Sequence, residues 1–200
     1  MSNKDVIAAL KSGNADAFHA ACRGGDLPSL SGETFTGLSI SGFDFSGMDL
    51  SNTEWEECLV STSIFADADI SGAYFNASTF VETRFDGADA TGLAVDGGLF
   101  KSCSLDEVVL SDSEFTGAGF DNCVLRGARL DDANWESMTV SAGEWTDITG
   151  NDGSLTGVVL RDVTVSGVDL SGMELTNCSV SAGSELEGFN ELSGRRKKIQ

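Results

Sequence analysis

Residues 46–75 read SGMDL SNTEW EECLV STSIF ADADI SGAYF, so that every group of five ends in an apolar side chain. The same register holds at each position divisible by five from Leu30 to Val180. Gly150 is the only one of these 31 positions that is not apolar, although apolar residues make up 40% of the chain. Such a regular repeat predicts an array in which each unit packs on the next and the apolar positions form the interior.

The other positions of each five are also specialised. The position two before the apolar residue holds a small or modest side chain, as at Ala68, Ala88 and Ala128. The position one after it is Ser or Thr in 16 of 30 cases, and the next is Gly in 13 of 30. An α-helix would return its apolar face after three or four residues, and a long strand would reverse faces at each odd repeat. The pattern therefore predicts short extended segments separated by corners, with the apolar residue always turned inward.

Four runs carry a resemblance to a known family: residues 46–50 (SGMDL), 71–75 (SGAYF), 126–130 (RGARL) and 166–170 (SGVDL). They resemble the repeats of pentapeptide-repeat proteins, in which a small residue, Asp or Asn, Leu or Phe, Ser or Thr, and a polar residue or glycine follow one another. The resemblance covers residues 28–182. It implies an all-β solenoid, a right-handed quadrilateral β-helix with four fives in each coil.

Four fives per coil place residues that are 20 positions apart on the same wall. The repeat then predicts about eight coils and, at a strand spacing of about 4.8 Å, a rod about 37 Å long. Trp55, Trp135 and Trp145 fall at core positions and are expected to pack inside the rod. A local bulge is expected at Gly150, after which the register resumes at Leu155.

Four of the five cysteines share one position in the repeat. Cys58, Cys103, Cys123 and Cys178 each precede a core position by two residues, where small side chains recur. We interpret them as small buried hydrophobic residues. Because Cys103 and Cys123 are 20 residues apart, a disulfide between them is the alternative.

Residues 1–27 lack the five-residue register and predict a helical N-terminal cap. Gly13 can end one helix, and Asn14 can begin a second. Helices of this length cannot form a core of their own, so they are expected to cover the first open edge of the repeat. His19, the only histidine, is expected at or near the surface of this cap and without a catalytic role.

Residues 183–200 predict a short C-terminal cap and a basic tail. Ser184 and Glu187 fit a capping box, which predicts a short helix that covers the last coil or joins a second copy. Three apolar residues recur there at every third position and are the candidates for self-association: Leu186, Phe189 and Leu192. The tail RRKK at residues 195–198 is expected to be solvated, or to contact an acidic partner.

Composition excludes several functional classes. The chain holds 32 Asp and Glu against 12 Lys and Arg, a formal net charge of −20, so direct binding to nucleic acid or to a membrane surface is not expected. No run approaches about 18 consecutive apolar residues, and the N-terminus has no long apolar segment, which favours a cytoplasmic location. No phosphate-binding loop or metal-ligand spacing is present. We therefore expect no cofactor, no metal and no enzymatic activity.

Two outward-facing sets are candidate contact residues. Residues 26–180 hold 27 Asp and Glu but only five Lys and Arg. The repeat aligns four of these acids as a candidate partner-binding wall: Asp49, Asp69, Asp89 and Asp169. A purely solubilising role is the alternative. The second set is a candidate apolar contact on another wall, for which scattered exposure is the alternative: Leu59, Leu99 and Val159.

Two functions fit this description. The first is a non-enzymatic interaction or scaffold protein that presents a rigid acidic rod to a protein partner of unknown identity. The second comes from the resemblance, because some pentapeptide-repeat proteins mimic DNA, bind type II topoisomerases such as DNA gyrase, and alter sensitivity to quinolones or toxins. In that case the acidic walls would occupy a basic DNA-binding surface, and the C-terminal segment would pair two rods. Those relatives usually carry loops that interrupt the repeat, whereas this repeat is uninterrupted.

The register predicts opposite effects for an inward and an outward substitution. Phe100→Asp is expected to unfold the solenoid because it places a charge in the apolar interior. Asp69→Ala, at an outward position, is expected to leave stability nearly unchanged. Thermal unfolding followed by circular dichroism measures both, and equal midpoints would contradict the assigned register.

Overall fold

A computed structural model describes residues 3–23 and 27–180, and the backbone of residues 185–186. Two helices, α1 (Asn3–Lys11) and α2 (Ala15–Cys22), precede the strands. Ten strands lie in the first part of the repeat: β1 (Thr34–Thr36), β2 (Ser39–Ser41), β3 (Glu54–Glu56), β4 (Leu59–Ser61), β5 (Tyr74–Asn76), β6 (Thr79–Val81), β7 (Ala94–Asp96), β8 (Leu99–Lys101), β9 (Glu114–Thr116) and β10 (Gly119–Asp121). Ten more follow: β11 (Val124–Arg126), β12 (Asn134–Glu136), β13 (Thr139–Ser141), β14 (Glu144–Thr146), β15 (Thr149–Thr156), β16 (Val159–Arg161), β17 (Thr164–Ser166), β18 (Asp169–Thr176), β19 (Ser179–Val180) and β20 (Glu185–Leu186).

The strands form a four-walled solenoid, as the repeat predicted. The walls are defined by central inward residues spaced 20 apart: wall 1 from Phe35 to Leu175, wall 2 from Ile40 to Val180, wall 3 from Phe45 to Val165, and wall 4 from Leu30 to Leu170. Walls 1 and 2 are parallel sheets of eight strands each. Walls 3 and 4 begin as single β-bridges, and wall 3 becomes a sheet from β11 onward. Wall 1 therefore makes seven full turns between its first and last strands, close to the predicted number of coils.

The corners depend on a left-handed backbone conformation. From Gly32 to Gly167, every residue two positions after a central residue has a positive φ. Glycine adopts this angle without strain, but the same corner is formed by Ala77 (φ 48°) and by the β-branched Thr62 (φ 45°). Backbone pairing on both sides of each corner therefore overrides the local preference of these residues.

The interior consists of stacked side chains from successive coils. On wall 3, the ring of Phe65 lies 4.7 Å from that of Phe45 and 5.0 Å from that of Phe85, in stacked geometry. Wall 2 repeats this arrangement at Phe80, Phe100 and Phe120. The three tryptophans are also fully buried, which confirms their assignment to the core: Trp55, Trp135 and Trp145.

The small residues two before each centre complete the interior. Where they are polar, they bond to backbone carbonyls: Ser78 Oγ donates to Trp55 O at 2.9 Å and accepts from Cys58 N at 3.0 Å. Cysteines at this position contact carbonyls in the same way, as Cys123 Sγ does with Phe100 O at 3.3 Å. Cys58, Cys103 and Cys123 are buried and Cys178 is half-buried, and all are free thiols, so the alternative disulfide is not formed.

The predicted irregularity at Gly150 is present. The pairing of β15 with β18 shifts register on both sides of Asn151 and is back in register at Ser154, which pairs with Glu174. A Cβ at Gly150 would lie only 2.6 Å from Met173 Sδ. The side chain of Met173, one coil later, therefore fills the space that an apolar residue occupies elsewhere.

The N-terminal helices close the first edge of the solenoid. Asn14 caps α2 by accepting from Ala17 N at 3.0 Å, as predicted. Phe18 is fully buried, and its ring lies 5.1 Å from the rings of Phe43 and Phe45 in the first coil. Neither described helix is long and apolar enough to cross a membrane.

Two side chains of the cap make the hydrogen bonds to the first coil that the backbone of a preceding coil makes elsewhere. In later coils, Ile64 N–H donates to Phe43 O one coil below, whereas Asp44 N–H in the first coil donates to His19 Nε2 at 3.0 Å. Ser29 O, which has no coil beneath it, accepts from Asn3 Nδ2 at 2.8 Å. The half-buried His19 thus satisfies an edge that would otherwise be unpaired.

The C-terminal end departs from the prediction. Glu185–Leu186 form β20, which pairs with β17, so the helix predicted there from Ser184 and Glu187 is wrong at these two residues. The pairing joins Val165 to Leu186, 21 positions apart, so one residue has been added to the register. Phe189, Leu192 and the basic tail lie outside the described residues.

One buried donor generates a stability prediction. Trp135 Nε1 donates to Ser113 Oγ, 22 residues earlier on the same wall, at 3.0 Å. Trp145 has Cys123 at the equivalent position, and its buried Nε1 has no partner among the described residues. Cys123→Ser should supply the missing acceptor and stabilise the fold by about 1 kcal/mol, a rise of about 2–4 °C in the thermal midpoint.

Cys103→Ser is the matched control, because Leu125 follows it at the same spacing and has no donor to satisfy. A thermal midpoint that rises equally in both variants, or in neither, would show that the missing acceptor for Trp145 Nε1 does not limit stability.

Candidate interaction surface

The predicted acidic wall lies on wall 4. Asp49, Asp69 and Asp89 occupy consecutive coils and are joined by parallel β-bridges, so their side chains follow one another at the strand spacing of about 4.8 Å. The column continues through Val109, Arg129 and Thr149 before it reaches Asp169. The structure therefore brings together the first three carboxylates and places the fourth further along the same wall.

Each of these aspartates also closes a turn. Asp69 Oδ1 accepts from Ser71 N at 3.0 Å and from Ser71 Oγ at 2.6 Å, and Asp49 makes the same two contacts with Ser51. Hydrogen bonds from Ser29 and Ser51 hold the pKa of Asp49 below its usual value. The aspartate position is therefore partly structural, because the side chain supports the corner that follows it.

Three of the four aspartates keep one carboxylate oxygen available to water or to a partner protein. Asp69, Asp89 and Asp169 each use Oδ1 for the turn, at Ser71, Thr91 and Ser171 respectively. Their Oδ2 atoms accept no hydrogen bond from the described residues. A turn role and a binding role are thus compatible within one side chain.

Wall 1 carries two further acidic columns, one on each side of its central residues, that sequence reasoning missed. Its outward positions hold six carboxylates and no Lys or Arg: Glu54, Glu56, Asp96, Glu114, Glu136 and Glu174. Five of them are glutamates, which the family pattern does not favour at these positions. The 20-residue register places these side chains on one wall and is the sequence signal that predicts them.

A shallow depression of about 290 Å³ lies on wall 1 over Trp135. Glu114 and Glu136 are among its lining residues, and Asn134, on the strand of Glu136, pairs with Glu114. Ser154 Oγ donates to Asn134 Oδ1 at 2.8 Å. Two carboxylates beside an amide suit the ammonium or guanidinium group of a basic side chain.

Walls 4 and 1 are neighbours along the chain and together form what we term the acidic face. It consists of the six carboxylates of wall 1 and five of wall 4: Asp49, Asp69, Asp89, Asp131 and Asp169. Its single basic residue, Arg129, is 3.5 Å from Asp131. On wall 3, by contrast, Arg84 contacts Asp86 at 3.1 Å and Arg126 contacts Glu144 at 2.8 Å, so charges there are locally paired.

The predicted apolar residues all lie on wall 2. Leu59 is 43% exposed and Leu99 is 39% exposed, whereas Val159 is half-buried three coils beyond Leu99. The structure therefore places Leu59 and Leu99 two coils apart and separates Val159 from them. Of the candidates for self-association, only the backbone of Leu186 is described.

A cavity of about 370 Å³ lies between the C-terminal end of α2 and the first coil. His19, Cys22, Arg23 and Asp44 are among the residues that line it. His19 Nε2 is already an acceptor there, and the Asp44 carboxylate accepts from Ser46, which lowers its pKa. Within the described part of the chain, no group of three or more His, Cys, Asp or Glu side chains could hold a metal ion.

Comparison with known proteins identifies the repeat. Residues 99–134 match the family model for pentapeptide repeats, in eight copies. Full-length QnrB1, described as a plasmid-mediated fluoroquinolone resistance protein, is 17% identical, with 78% of this chain and 87% of QnrB1 covered and a TM-score of 0.40. HetL, a pentapeptide-repeat protein involved in heterocyst differentiation regulation in the cyanobacterium Nostoc, is 16% identical, with 94% and 96% coverage and a TM-score of 0.33. The search of curated proteins gave no match.

The turn hydrogen bonds revise the expectation for Asp69. Asp69→Ala removes both contacts to Ser71 and is expected to cost about 1 kcal/mol, rather than being neutral. Asp69→Asn keeps an oxygen acceptor and should unfold at the wild-type temperature. Thermal unfolding of the three proteins tests this, and equal losses in both variants would show that charge, not turn closure, matters at this position.

Proposed function

Because the chain is a pentapeptide-repeat protein, we propose that it is a non-enzymatic interaction protein that presents its acidic face to a basic surface of a protein partner. The observation that carries the proposal is the distribution of charge. Two neighbouring walls hold eleven carboxylates and one basic residue, which is itself paired with Asp131. Solubility alone would not require eleven of the 16 acidic residues at outward wall positions of the described coils to lie on two neighbouring walls.

The fold fixes these charges in space. Most of these carboxylates stand on strands or bridges that pair with neighbouring coils, as Glu54, Asp69 and Asp96 do, so the spacing between charges is set by the backbone. A partner therefore meets a preorganised row of anions and orders few loops on binding. Long-range attraction of this kind increases the rate of association and weakens as salt is added.

The depression beside Trp135 indicates what such a partner would insert. Among its lining residues, Glu114 and Glu136 supply carboxylates and Asn134 supplies an amide. An arginine or lysine side chain could enter the depression while further basic residues lie along the columns of walls 1 and 4. A basic, groove-like surface on the partner fits this arrangement better than a flat neutral one.

A more specific candidate is a DNA mimic directed at a type II topoisomerase such as DNA gyrase. It is favoured by the linear charge density of the rod. Residues 26–180 carry 27 acidic and five basic residues, a net charge of −22. Over about 37 Å this is one charge per about 1.7 Å, the value for duplex DNA.

Neutralisation of the acidic face tests the general proposal. We expect four substitutions on exposed face residues to weaken binding of captured partners at least about tenfold, because each removes an attraction without altering the fold. The face variant is Asp89→Asn, Glu114→Gln, Glu136→Gln and Asp169→Asn. Partners are captured from a host lysate by the wild-type chain, and their affinities are then measured by biolayer interferometry.

A matched control removes four charges from walls 2 and 3 and from the corner between them: Asp44→Asn, Glu82→Gln, Asp121→Asn and Asp162→Asn. Both variants have the same net charge, so the control should bind as the wild type does. Equal weakening in the two variants would refute a localised acidic face and leave only the effect of net charge.

A gyrase supercoiling assay, with and without a quinolone, tests the DNA mimic. We expect the wild-type chain to inhibit supercoiling or to change quinolone sensitivity, and we expect added duplex DNA to compete with it. The face variant should lose this effect. Absence of both binding and effect removes gyrase as the partner while leaving the general proposal to the capture experiment.

A further inference from the structure

Wall 2 differs from the other walls because the outward-facing residues that precede its central residues carry no charge. The residue before each central residue is uncharged in all eight coils: Ser39, Leu59, Thr79, Leu99, Gly119, Thr139, Val159 and Ser179. The corresponding columns of the other three walls contain eleven charged residues: Glu54, Glu114, Glu174, Asp44, Arg84, Glu144, Asp49, Asp69, Asp89, Arg129 and Asp169. In a chain of net charge −20, this neutral strip requires an explanation.

The strip has an apolar centre. Leu59 and Leu99 are 43% and 39% exposed, and Thr79 lies between them on the intervening coil. Leu99 also leans over Gly119, where an added Cβ would lie 3.1 Å from Leu99 Cδ1. The absence of a side chain at Gly119 therefore lets Leu99 lie close to the sheet and keeps the surface flat.

The column one after the central residues of wall 2 is nearly neutral as well. The positions one after each central residue of wall 2 include Lys101, Asp121 and Arg161, and no ion pair forms at Lys101 or Arg161 among the described residues. Wall 2 is thus the one described wall whose outward side chains do not add up to a negative charge.

We propose that wall 2 is the surface through which two copies of this chain pair face to face. Electrostatics selects this occupant, because contact between copies through walls 1 or 4 would oppose columns of like charge, whereas contact through wall 2 opposes none. A two-fold axis that lies in the plane of the contact would also bring the exposed leucines of the two copies together. With the axis along the rod, each leucine meets its own copy; with the axis along the strands through Thr79, Leu59 meets Leu99.

The small area of this surface is typical of a weak, transient pair. Eight strands spaced by about 4.8 Å and about 10 Å long give about 400 Å² per chain, half the area of a standard interface. The dissociation constant should therefore be weaker than about 1 μM. Two rods of net charge −20 also repel each other at long range, so salt should strengthen the pair.

This salt dependence separates the inference from the proposed function. Binding of a basic partner by the acidic face weakens as salt is added, whereas pairing through wall 2 is favoured when the repulsion is screened. The two contacts lie on different walls, so failure of one leaves the other unaffected.

Sedimentation equilibrium of the full chain tests the pairing, in about 0.1 M and 1 M NaCl, where the screening lengths are about 10 Å and 3 Å. We expect a monomer–dimer equilibrium that shifts toward the dimer in high salt. Leu99→Glu and Leu59→Glu should each raise the dissociation constant at least about tenfold. Ala94→Glu adds the same charge to wall 1 in the coil of Leu99 and should change it little.

Near-ultraviolet circular dichroism of the buried tryptophans verifies that each variant is folded, and Thr79→Glu replaces any leucine variant that is not. A wild-type chain that stays monomeric at millimolar concentration in both salts overturns the inference. A dimer that survives Leu59→Glu and Leu99→Glu also overturns it. If such a dimer is lost in Phe189→Glu, self-association belongs to the C-terminal segment instead.

Discussion

Parallel backbone pairing between residues 20 positions apart is the constraint on which the rest of the structure depends. Leu30 N–H donates to Asp49 O, Leu50 N–H to Asp69 O and Ile70 N–H to Asp89 O, each at 2.8 Å. Once this spacing is fixed, every position of the repeat becomes a column, and a property shared by one column extends along the whole rod. The aromatic stacks, the corners and the acidic columns all follow from the same rule. The molecule is therefore specified one column at a time rather than one residue at a time.

The sequence was sufficient to predict this architecture because the signal accumulates over 31 repeats. Features that depend on a single contact were not accessible. No local pattern indicates that Met173 fills the space beside Gly150, or that Thr62 adopts a left-handed backbone angle, because both depend on neighbouring coils. The candidate site was only partly predicted: the aspartates of wall 4 were found, whereas Glu114 and its column were not. The added residue before β20 lies past the end of the regular register, where periodicity gives no guidance.

The walls give the surface two kinds of face, one acidic and one largely uncharged. Walls 4 and 1 concentrate carboxylates, and the turn contacts of Asp69 show that one side chain can both support a corner and leave an oxygen exposed. Wall 2 carries no charge in its central column and exposes two leucines. Since a quadrilateral solenoid keeps these faces at fixed angles, attraction to a basic partner and contact with a second copy need not compete for the same residues.

The helical cap has a consequence for assembly. A solenoid with two bare ends could add copies end to end without limit, because each end offers unpaired backbone groups. Here His19 and Asn3 occupy the groups at Asp44 and Ser29 that another coil would need. Every copy therefore lacks one of the two docking edges that a growing filament requires, and end-to-end growth stops at the first cap it reaches. His19, for which the sequence predicted no catalytic role, therefore occupies a backbone group that end-to-end contact between copies would need.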